Sequence, residues 1–290
     1  MTAIILDTDI GYDPDDMFAL LFLHKLAKIA CIITANEVIG ETPSSPGKRL
    51  RFVSNILANL ADTTTPVYSG ESLGMNTKFT VDEMLVDGDA RESGDHVDAL
   101  KDVIDMGEPV TYIGIGGFTN LAKFIEKYPL CASKMRVVIM GGALDYERHA
   151  GWIEYNIKID QKSVETVLNA KGIDLTLVMA QTTHNPIYEV TSESRLYKRL
   201  KASHNPVHQM LAQHCDLWFQ KRDYKHGTLM HDPLTVSAAL GMEYVQLHEA
   251  KVVLKEGRFI RDEKDGVMIK YSDPASQAAE FMEFLEETLF

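Results

Sequence analysis

Short apolar runs rich in β-branched residues alternate along the chain with stretches of helical periodicity. The predicted strands are Ala3–Leu6, Cys31–Ala35, Val110–Gly114, Arg136–Met140, Asp174–Met179 and Lys251–Lys255. The predicted helices are Asp15–Ile29, Pro46–Leu60, His96–Met106, Thr119–Tyr128, Gln161–Ala170, Ser192–Cys215, Pro233–Leu240 and a final acidic helix from about Pro274 to the C-terminus. Strands that are apolar throughout are buried on both faces, as in a parallel sheet covered by helices. The pattern predicts an α/β fold with a mainly parallel, Rossmann-like sheet flanked by helices.

The chain shows no linker, internal repeat or low-complexity segment, so we expect residues 1–290 to form a single domain. The hydrophobic fraction of 45% is enough for a sizeable core. In open α/β sheets, ligands bind beyond the carboxyl ends of the strands. Polar residues that directly follow a predicted strand are therefore the first candidates for a functional site.

Charge and cysteine content indicate which binding partners and which cellular compartment to expect. A formal net charge of −13 argues against nucleic acid or an anionic membrane as a partner. The three cysteines, Cys31, Cys131 and Cys215, are odd in number and far apart, which suits a reducing compartment. The first residues lack the basic region of a signal peptide, and the apolar run Met17–Leu23 is shorter than the roughly 20 residues of a membrane span. We expect a cytoplasmic protein.

The first predicted strand leads directly into a cluster of aspartates, in the stretch LDTDIGYDPDDMFALL (Leu6–Leu21). The five acids are Asp7, Asp9, Asp13, Asp15 and Asp16, and no Lys or Arg precedes Lys25. Carboxylates a few ångströms apart repel one another and raise one another's pKa. Helix capping and the helix dipole explain two of the five acids well, but they explain the whole group poorly. A bound metal ion would explain all of them.

Other interpretations of this stretch fit less well or remain open. An EF-hand loop fails, because Tyr12 stands where glycine is needed and Phe18 where the bidentate glutamate belongs. A haloacid dehalogenase-type phosphotransferase also has Asp-x-Asp after its first strand. That family continues with Thr or Val where this chain has Gly11, and it has no use for the Asp15–Asp16 pair. The phosphatase remains a distant alternative.

Four segments in order resemble the nucleoside hydrolase family. DTDIGYDPDD (Asp7–Asp16) is similar to its N-terminal Asp-x-Asp-x-Gly…Asp-Asp motif, and IGGFTNLA (Ile115–Ala122) to its Gly-Pro-Leu-Thr-Asn-x-Ala turn. MGGA followed by EYNIKID (Met140–Ala143 and Glu154–Asp160) resembles its substrate loop, and HDPLTVSAAL (His231–Leu240) its His-Asp-Pro motif. Each segment has an ordinary structural reading: Asp232 followed by Pro233, for example, is a good helix start. Together they imply the nucleoside hydrolase fold.

The resemblance implies hydrolysis of the N-glycosidic bond of ribonucleosides with Ca²⁺ as cofactor, in a homodimer or homotetramer. The implied metal ligands are Asp9, both oxygens of Asp16, the Ile115 carbonyl and Asp232. Asp9 would be the general base, and His231 would donate a proton to the departing base, a role that suits an imidazole near neutral pH. The implied substrate-binding residues are Asp15 on the 2′-hydroxyl, Glu154 and Asn156 on the 3′- and 5′-hydroxyls, and Asn36 and Met140.

Two departures from the family pattern leave the substrate open. Arg148 falls where the family has an asparagine that reaches the 5′-hydroxyl, and Asp87–Asp89 lies where many members have His-Gly. Trp152 and Trp218 are candidates to stack on a base, although simple packing explains each equally well. A relative that binds nucleoside or ribose without catalysis is the main alternative. It would keep the metal and ribose contacts but lose Asp9 or His231, and both are present.

Overall fold

The computed structural model describes residues 2–35, 47–71, 78–86, 94–221, 227–273 and 277–290. The strands are β1 (Ala3–Thr8), β2 (Ile29–Thr34), β3 (Val67–Ser69), β4 (Val110–Gly114), β5 (Met135–Met140), β6 (Asp174–Val178), β7 (Glu189–Val190), β8 (Thr228–Leu229), β9 (Gln246–Lys255), β10 (Arg258–Arg261) and β11 (Val267–Asp273). The helices are α1 (Asp15–Leu26), α2 (Lys48–Asn59), α3 (His96–Asp105), α4 (Thr119–Lys127), α5 (Tyr155–Lys158), α6 (Gln161–Leu168), α7 (Ala180–Thr183), α8 (Arg195–Ala202), α9 (Pro206–Lys221), α10 (His231–Ala239) and α11 (Ala278–Leu289). Short 3₁₀ turns lie at Asp82–Met84, Pro129–Lys134 and Pro186–Tyr188.

A nine-stranded sheet in the order β10-β9-β11-β6-β5-β4-β1-β2-β3 forms the centre of the molecule. Seven neighbouring strands of this sheet pair in parallel, in the order β3-β2-β1-β4-β5-β6-β11. Strand β9 is antiparallel to β11, and β10 is antiparallel to β9. Strands β7 and β8 form a separate antiparallel pair. The order 3-2-1-4-5-6 within this sheet is the Rossmann arrangement, so the predicted α/β class with a mainly parallel sheet is confirmed.

Both faces of the sheet are buried, as the continuous apolar strands predicted. Leu6, Ile32 and Val138 belong to one apolar cluster, whereas Ile5 and Val137, their chain neighbours, belong to the cluster on the opposite face. Side chains alternate between the two faces of a strand, so both clusters need apolar residues. No described helix is long and apolar enough to span a bilayer.

Two predicted helix boundaries were wrong. The helix predicted over Asp15–Ile29 ends at Leu26, because Ala27 takes an extended backbone and Ile29 already begins β2. The helix predicted over Ser192–Cys215 is two helices, α8 and α9, with Ser203 extended between them. Pro206 lacks an N–H and disfavours the helical conformation at the residue before it, so it begins a helix and does not continue one.

Other boundaries shift without changing the architecture. The helix predicted from Pro46 begins at Lys48, and the final helix begins at Ala278; Pro46 and Pro274 lie outside the described residues. The predicted strand Lys251–Lys255 is the second half of the longer β9. The short strands β3 and β10, and β11, were not predicted.

Candidate active site

The loop after β1 brings several acids to the carboxyl edge of the sheet. Gly11 lies in this loop with φ +111°, and a Cβ atom there would lie 2.3 Å from the Phe79 ring. Only glycine takes that conformation without strain. The turn after β4 also approaches closely, since a Cβ on Gly116 would lie 3.1 Å from Asp9 Oδ1. Asp9 is therefore beside the turn that contains Ile115.

The amino termini of two helices converge on the site. Helix α1 begins with Asp15 and Asp16, helix α10 begins with His231 and Asp232, and the two helices pack against each other. Carboxylate oxygens of Asp15, Asp16 and Asp232 all lie within 4.8 Å of one another, and all three residues are buried. Helix amino termini favour negative charge, which accounts for part of the tolerance of this acidic trio (Asp15, Asp16 and Asp232).

Burial is the main electrostatic effect on the acidic trio. It raises the pKa of Asp15, Asp16 and Asp232 well above the ordinary value, and the neighbouring carboxylates raise each pKa further. A side-chain hydrogen bond joins Asp15 to Asp232. Carboxylates this close together repel one another when they are ionised, so a bound cation would stabilise the acidic trio.

One buried cation, Arg49, lies beneath the acids and was missed in the sequence. Its side chain is 1% exposed and donates hydrogen bonds to the backbone carbonyls of Asp9, of Ile10 at 2.6 Å and of Lys78 at 3.1 Å. Its charge lowers the pKa of Asp16, as does the Thr8 hydroxyl, which donates to Asp16 Oδ1 at 2.5 Å. The available signal was spacing: Arg49 falls on the apolar stripe of α2 with Phe52, Val53 and Ile56.

The five clustered aspartates do not all face the same way. Asp7 accepts hydrogen bonds from Tyr112 Oη and from Asn120 Nδ2, the latter at 2.8 Å. Burial raises the pKa of Asp7 to about 7, although these hydrogen bonds oppose the shift. Asp13 accepts the Thr228 hydroxyl. Asp7 thus joins β1 to β4 and α4, and the acids that face the site are Asp9, Asp13, Asp15 and Asp16.

The donor set fits a hard divalent cation. The acidic trio offers only carboxylate oxygens as ligand atoms, without sulfur or imidazole. Ligand sets that contain only oxygen suit Ca²⁺ or Mg²⁺. Asp9 is outside the trio, but its charge raises the pKa of all three members. Asp15, predicted to bind sugar, lies inside it. Ligation by Asp9 and by the Ile115 carbonyl stays a prediction.

A cavity of about 440 Å³ opens above the acidic trio. Its size lies within the usual range of small-ligand pockets, roughly 300–1,000 Å³. The cavity is lined by all the described residues that the sequence proposed for the site: Asp9, Asp15, Asp16, Ile115, Met140, Glu154, Asn156, His231 and Asp232. Asn36 and Asp87–Asp89 lie outside the described residues.

The segment after β5 holds its polar side chains firmly. Glu154 caps α5 and accepts backbone N–H groups from Gly142 at 2.9 Å, Asn156 at 3.0 Å and Ile157 at 3.2 Å. Asn156 Nδ2 donates to the Met140 carbonyl at 3.1 Å. Burial raises the pKa of Glu154, whereas these backbone donors lower it. One wall of the cavity is therefore a fixed polar surface.

His231 lies in a chain of polar aromatic residues that the sequence did not reveal. Its Nδ1 is 2.6 Å from Thr183 Oγ1, its ring centroid is 5.2 Å from that of His184, and His184 Nδ1 is 3.2 Å from Tyr146 Oη. Thr183 and His184 closely follow β6, at the same sheet edge as the acids, and that position was the available signal.

Burial lowers the pKa of both histidines and favours their neutral forms. Burial lowers the pKa of His231 to about 3, and the nearby His184 and Arg148 lower it further. Burial and Arg148 lower the pKa of His184 to about 4. The role of His231 as proton donor to the departing base stays a prediction, and its lowered pKa favours the neutral form of the imidazole.

Both tryptophans line the cavity. The Trp152 ring is 5.5 Å from that of His184, and Trp218 makes an edge contact with Tyr12 at 5.0 Å. Trp218 is buried, and its Nε1 donates to the Gly227 carbonyl at 3.1 Å. Trp218 is therefore part of the wall, and stacking of either ring on a base stays a prediction.

Comparison with known proteins gives the same answer for fold and family. Residues 4–283 match the model of the inosine-uridine preferring nucleoside hydrolases. The pyrimidine-specific ribonucleoside hydrolase RihA of Escherichia coli is 28% identical over 262 residues, which are 83% of this chain and 80% of that protein. A plant nucleoside hydrolase (TM-score 0.81) and the purine-preferring ribonucleoside hydrolase of Gardnerella vaginalis (TM-score 0.79) share the fold at 20% identity, over 99% of this chain and 98% of theirs.

The chain belongs to the inosine-uridine preferring nucleoside hydrolase family. It is a ribonucleoside hydrolase, an enzyme that cleaves N-glycosidic bonds. The family is metal-dependent, and the chain has a buried acidic cluster, the acidic trio, that could hold a metal ion. Neither the phosphatase nor the non-catalytic alternative is favoured.

Proposed function

We propose that the protein hydrolyses ribonucleosides to ribose and free base with Ca²⁺ as its cofactor. The observation that carries this proposal is the buried acidic trio at the floor of a 440 Å³ cavity whose walls carry polar, fixed side chains. Water adds across the N-glycosidic bond: its oxygen bonds to the anomeric carbon, and the base departs with a proton. The transition state at the sugar resembles an oxocarbenium ion.

The proposed ligands are Asp9, Asp16, Asp232 and the Ile115 carbonyl. All four residues line the cavity, and with both oxygens of Asp16 they would offer five oxygens. A water and two ribose hydroxyls would complete the six to eight oxygens that Ca²⁺ takes. The bound cation would offset the carboxylate charge and increase the acidity of water. Among the chain's own groups, the Asp9 carboxylate would accept the proton of the attacking water, and its electrostatic effect on Asp16 supports a position near the acidic trio.

The same geometry supports the proposed sugar contacts. Asp15 begins α1 on the cavity floor and would accept the 2′-hydroxyl proton. Glu154 and Asn156 would hold the 3′- and 5′-hydroxyls, and their orientations are already fixed by the backbone of residues 140–157. Met140 would border the sugar, and Asn36 would complete this side.

His231 would act on the departing base as a neutral hydrogen-bond donor. A neutral imidazole carries one N–H, and we propose that Nδ1 accepts the Thr183 hydroxyl, which leaves the N–H on Nε2 for the base. A neutral histidine can stabilise developing negative charge without being protonated first. Because the neutral ring keeps its single N–H, the proton that the base finally carries comes from water.

The experiment that tests the proposal is a substrate panel. Protein saturated with Ca²⁺ is incubated with uridine, cytidine, inosine, adenosine and guanosine, and free ribose is measured, with p-nitrophenyl phosphate as the control ester. Ribose release that stops on chelation and returns with Ca²⁺ is the expected result. Phosphate release without ribose release, or ribose release that is insensitive to chelation, would overturn the proposal.

We also propose a homodimer or homotetramer of one-domain subunits that works in the cytoplasm. Met106 and Leu130 are 72% and 83% exposed, and burial against another copy of the chain would remove these apolar side chains from water. One sheet takes strands from both halves of the chain, which supports a single domain. All three cysteines are unpaired, as in a reducing compartment. Light scattering on the purified protein tests the assembly.

A further inference from the structure

Three cationic side chains, Lys78, Arg148 and Lys158, line the cavity above its acidic floor. All three residues are exposed, and none forms an ion pair with a carboxylate among the described residues. The chain as a whole carries a net charge of −13. We call these three cations, which have no carboxylate partner within the described part of the chain, the cationic mouth (Lys78, Arg148 and Lys158).

The cationic mouth is not simply a set of counter-ions for the floor. The cation that lowers the pKa of Asp16 is the buried Arg49, whereas Arg148 lowers the pKa of His184 and of His231. The Lys78 ammonium lies 4.9 Å from the centre of the Tyr12 ring and 5.2 Å from that of Tyr155. Two aromatic faces hold this lysine in place above the cavity.

Two of the three cations are tied to α5. Lys158 is its last residue, and Lys78 contacts Tyr155, its first residue. Glu154 and Asn156, the cap and second residue of α5, are the groups proposed to hold the 3′- and 5′-hydroxyls. Arg148 belongs to the loop that joins β5 to α5. Lys78 and Lys158 therefore lie beside the groups proposed to hold the 3′- and 5′-hydroxyls, and Arg148 extends the positive charge from this loop toward His184 and His231.

We infer that the preferred substrate is a ribonucleoside 5′-monophosphate, with its phosphate bound by the cationic mouth. This inference rests on the proposed function, because it uses the proposed position of the sugar. Arginine and lysine are the side chains best suited to phosphate, arginine through a bidentate fork and lysine as a point charge. The inference also accounts for Arg148, which departs from the family pattern.

The reaction would remain hydrolysis of the N-glycosidic bond. Water supplies the oxygen that bonds to C1′ and the proton that the base carries away, so the products are ribose 5-phosphate and free base. The phosphate ester stays intact, and no oxidant or further reactant is required. The cationic mouth contributes binding and orientation, and the floor performs the chemistry.

The test compares kcat/KM for UMP with uridine and for IMP with inosine, by measuring free base. The monophosphates should be preferred, and Arg148→Ala and Lys158→Ala should each lower the preference on the order of tenfold, the usual effect of a charge-assisted hydrogen bond. Lys198→Ala is the matched control, since it removes one exposed charge outside the cavity and should keep the preference. The preference should also shrink as salt rises, because exposed charges are screened.

A binding measurement separates recognition from turnover. Ribose 5-phosphate should compete with substrate more strongly than ribose does, and Arg148→Ala should remove that advantage. Equal or faster hydrolysis of the unphosphorylated nucleosides would overturn the inference and leave the proposed function standing. A preference for 3′-UMP, or for orotidine with its carboxylate on the base, would also overturn the inference. The preferred substrate would then carry its anion at a position other than the 5′-oxygen. Failure to cleave any of these compounds with Ca²⁺ bound would overturn the proposed function itself.

Discussion

Arg49 donates a hydrogen bond to the backbone carbonyl of Asp9. The same guanidinium bonds the carbonyls of Ile10 and Lys78, so one buried side chain ties α2 to the loop of the acids and to the segment that begins at Lys78. A cation beneath the carboxylates also offsets part of their repulsion. Arg49 therefore shapes the loop and sets its charge from a position that substrate does not reach.

Replacing Arg49 by lysine should destabilise the protein although it keeps the charge. A single ammonium cannot reach three carbonyls, and a buried carbonyl without a partner costs roughly 1–3 kcal/mol. Urea denaturation of Arg49→Lys should show a loss of this size in the free energy of unfolding. The variant should also bind Ca²⁺ with lower affinity. Arg51→Lys, on the same helix, is the control and should change stability by less than about 0.5 kcal/mol. Equal losses of unfolding free energy in the two variants would show that the forked guanidinium of Arg49 is not needed.

Asp9→Asn and Asp15→Asn should separate ligation from sugar binding. The proposal expects Asp9→Asn to lose turnover and metal affinity together, because one carboxylate serves as ligand and base. Asp15→Asn should keep more of its metal and lose affinity for substrate. Calorimetric titration with Ca²⁺ decides between them. If Asp15→Asn loses as much metal affinity as Asp9→Asn, then Asp15 is a ligand, as its place within the acidic trio permits.

Chelation should destabilise the enzyme more strongly as pH rises. Burial raises the pKa of the acidic trio, so the metal-free fold is most stable where these acids hold their protons and loses that stability as pH rises through the raised values. A bound cation removes this loss. The increase in Tm on adding Ca²⁺ to chelated protein should therefore grow from pH 5 to pH 8, and a constant increase would contradict a metal held by the trio.

His231→Ala should slow hydrolysis of a natural nucleoside roughly 10²–10³-fold, the typical loss for one hydrogen-bond donor to a developing charge. p-Nitrophenyl riboside should be nearly unaffected, because its leaving group is already a stable anion. Since burial holds the pKa of His231 near 3, its ring stays neutral from about pH 4 upward. The variant's profile of kcat/KM between pH 6 and 9 should keep the wild-type shape. If His231→Ala loses one limb of the pH profile that the wild-type enzyme shows, then the imidazolium form of His231 takes part in the reaction.

His214 should make the fold sensitive to acid. Burial lowers its pKa to about 4, although the Tyr12 carbonyl that pairs with Nε2 opposes the shift. The unfolded chain has a histidine pKa near 6.5, so it binds the extra proton between pH 6.5 and 4, and stability falls as pH drops through that window. The loss attributable to this residue is about 3 kcal/mol. His214→Gln should show a shallower decline there, with unchanged slope between pH 7.5 and 8.5.

The parallel core of the fold could be predicted because its strands are apolar on both faces and end in polar residues. Strands β10 and β11 mix exposed and buried residues, and β3 has three residues, so their patterns are too weak or short to stand out. The site acids were visible for a similar reason: Asp9 and Asp16 follow a buried strand. His184 and Lys78 were not visible, because their partners lie far away in the sequence and only the fold brings them together.

The acidic trio joins Asp16, near the first strand, to Asp232 on α10. A chain leaving the ribosome cannot form this cluster until α10 has been made, which requires most of the sequence. Contacts between such distant positions form slowly, because a long loop must close first. With the proposed ligands, capture of the metal would therefore come late in folding. A chain that stops before α10 would lack Asp232, so full occupancy of the site would mark a finished molecule.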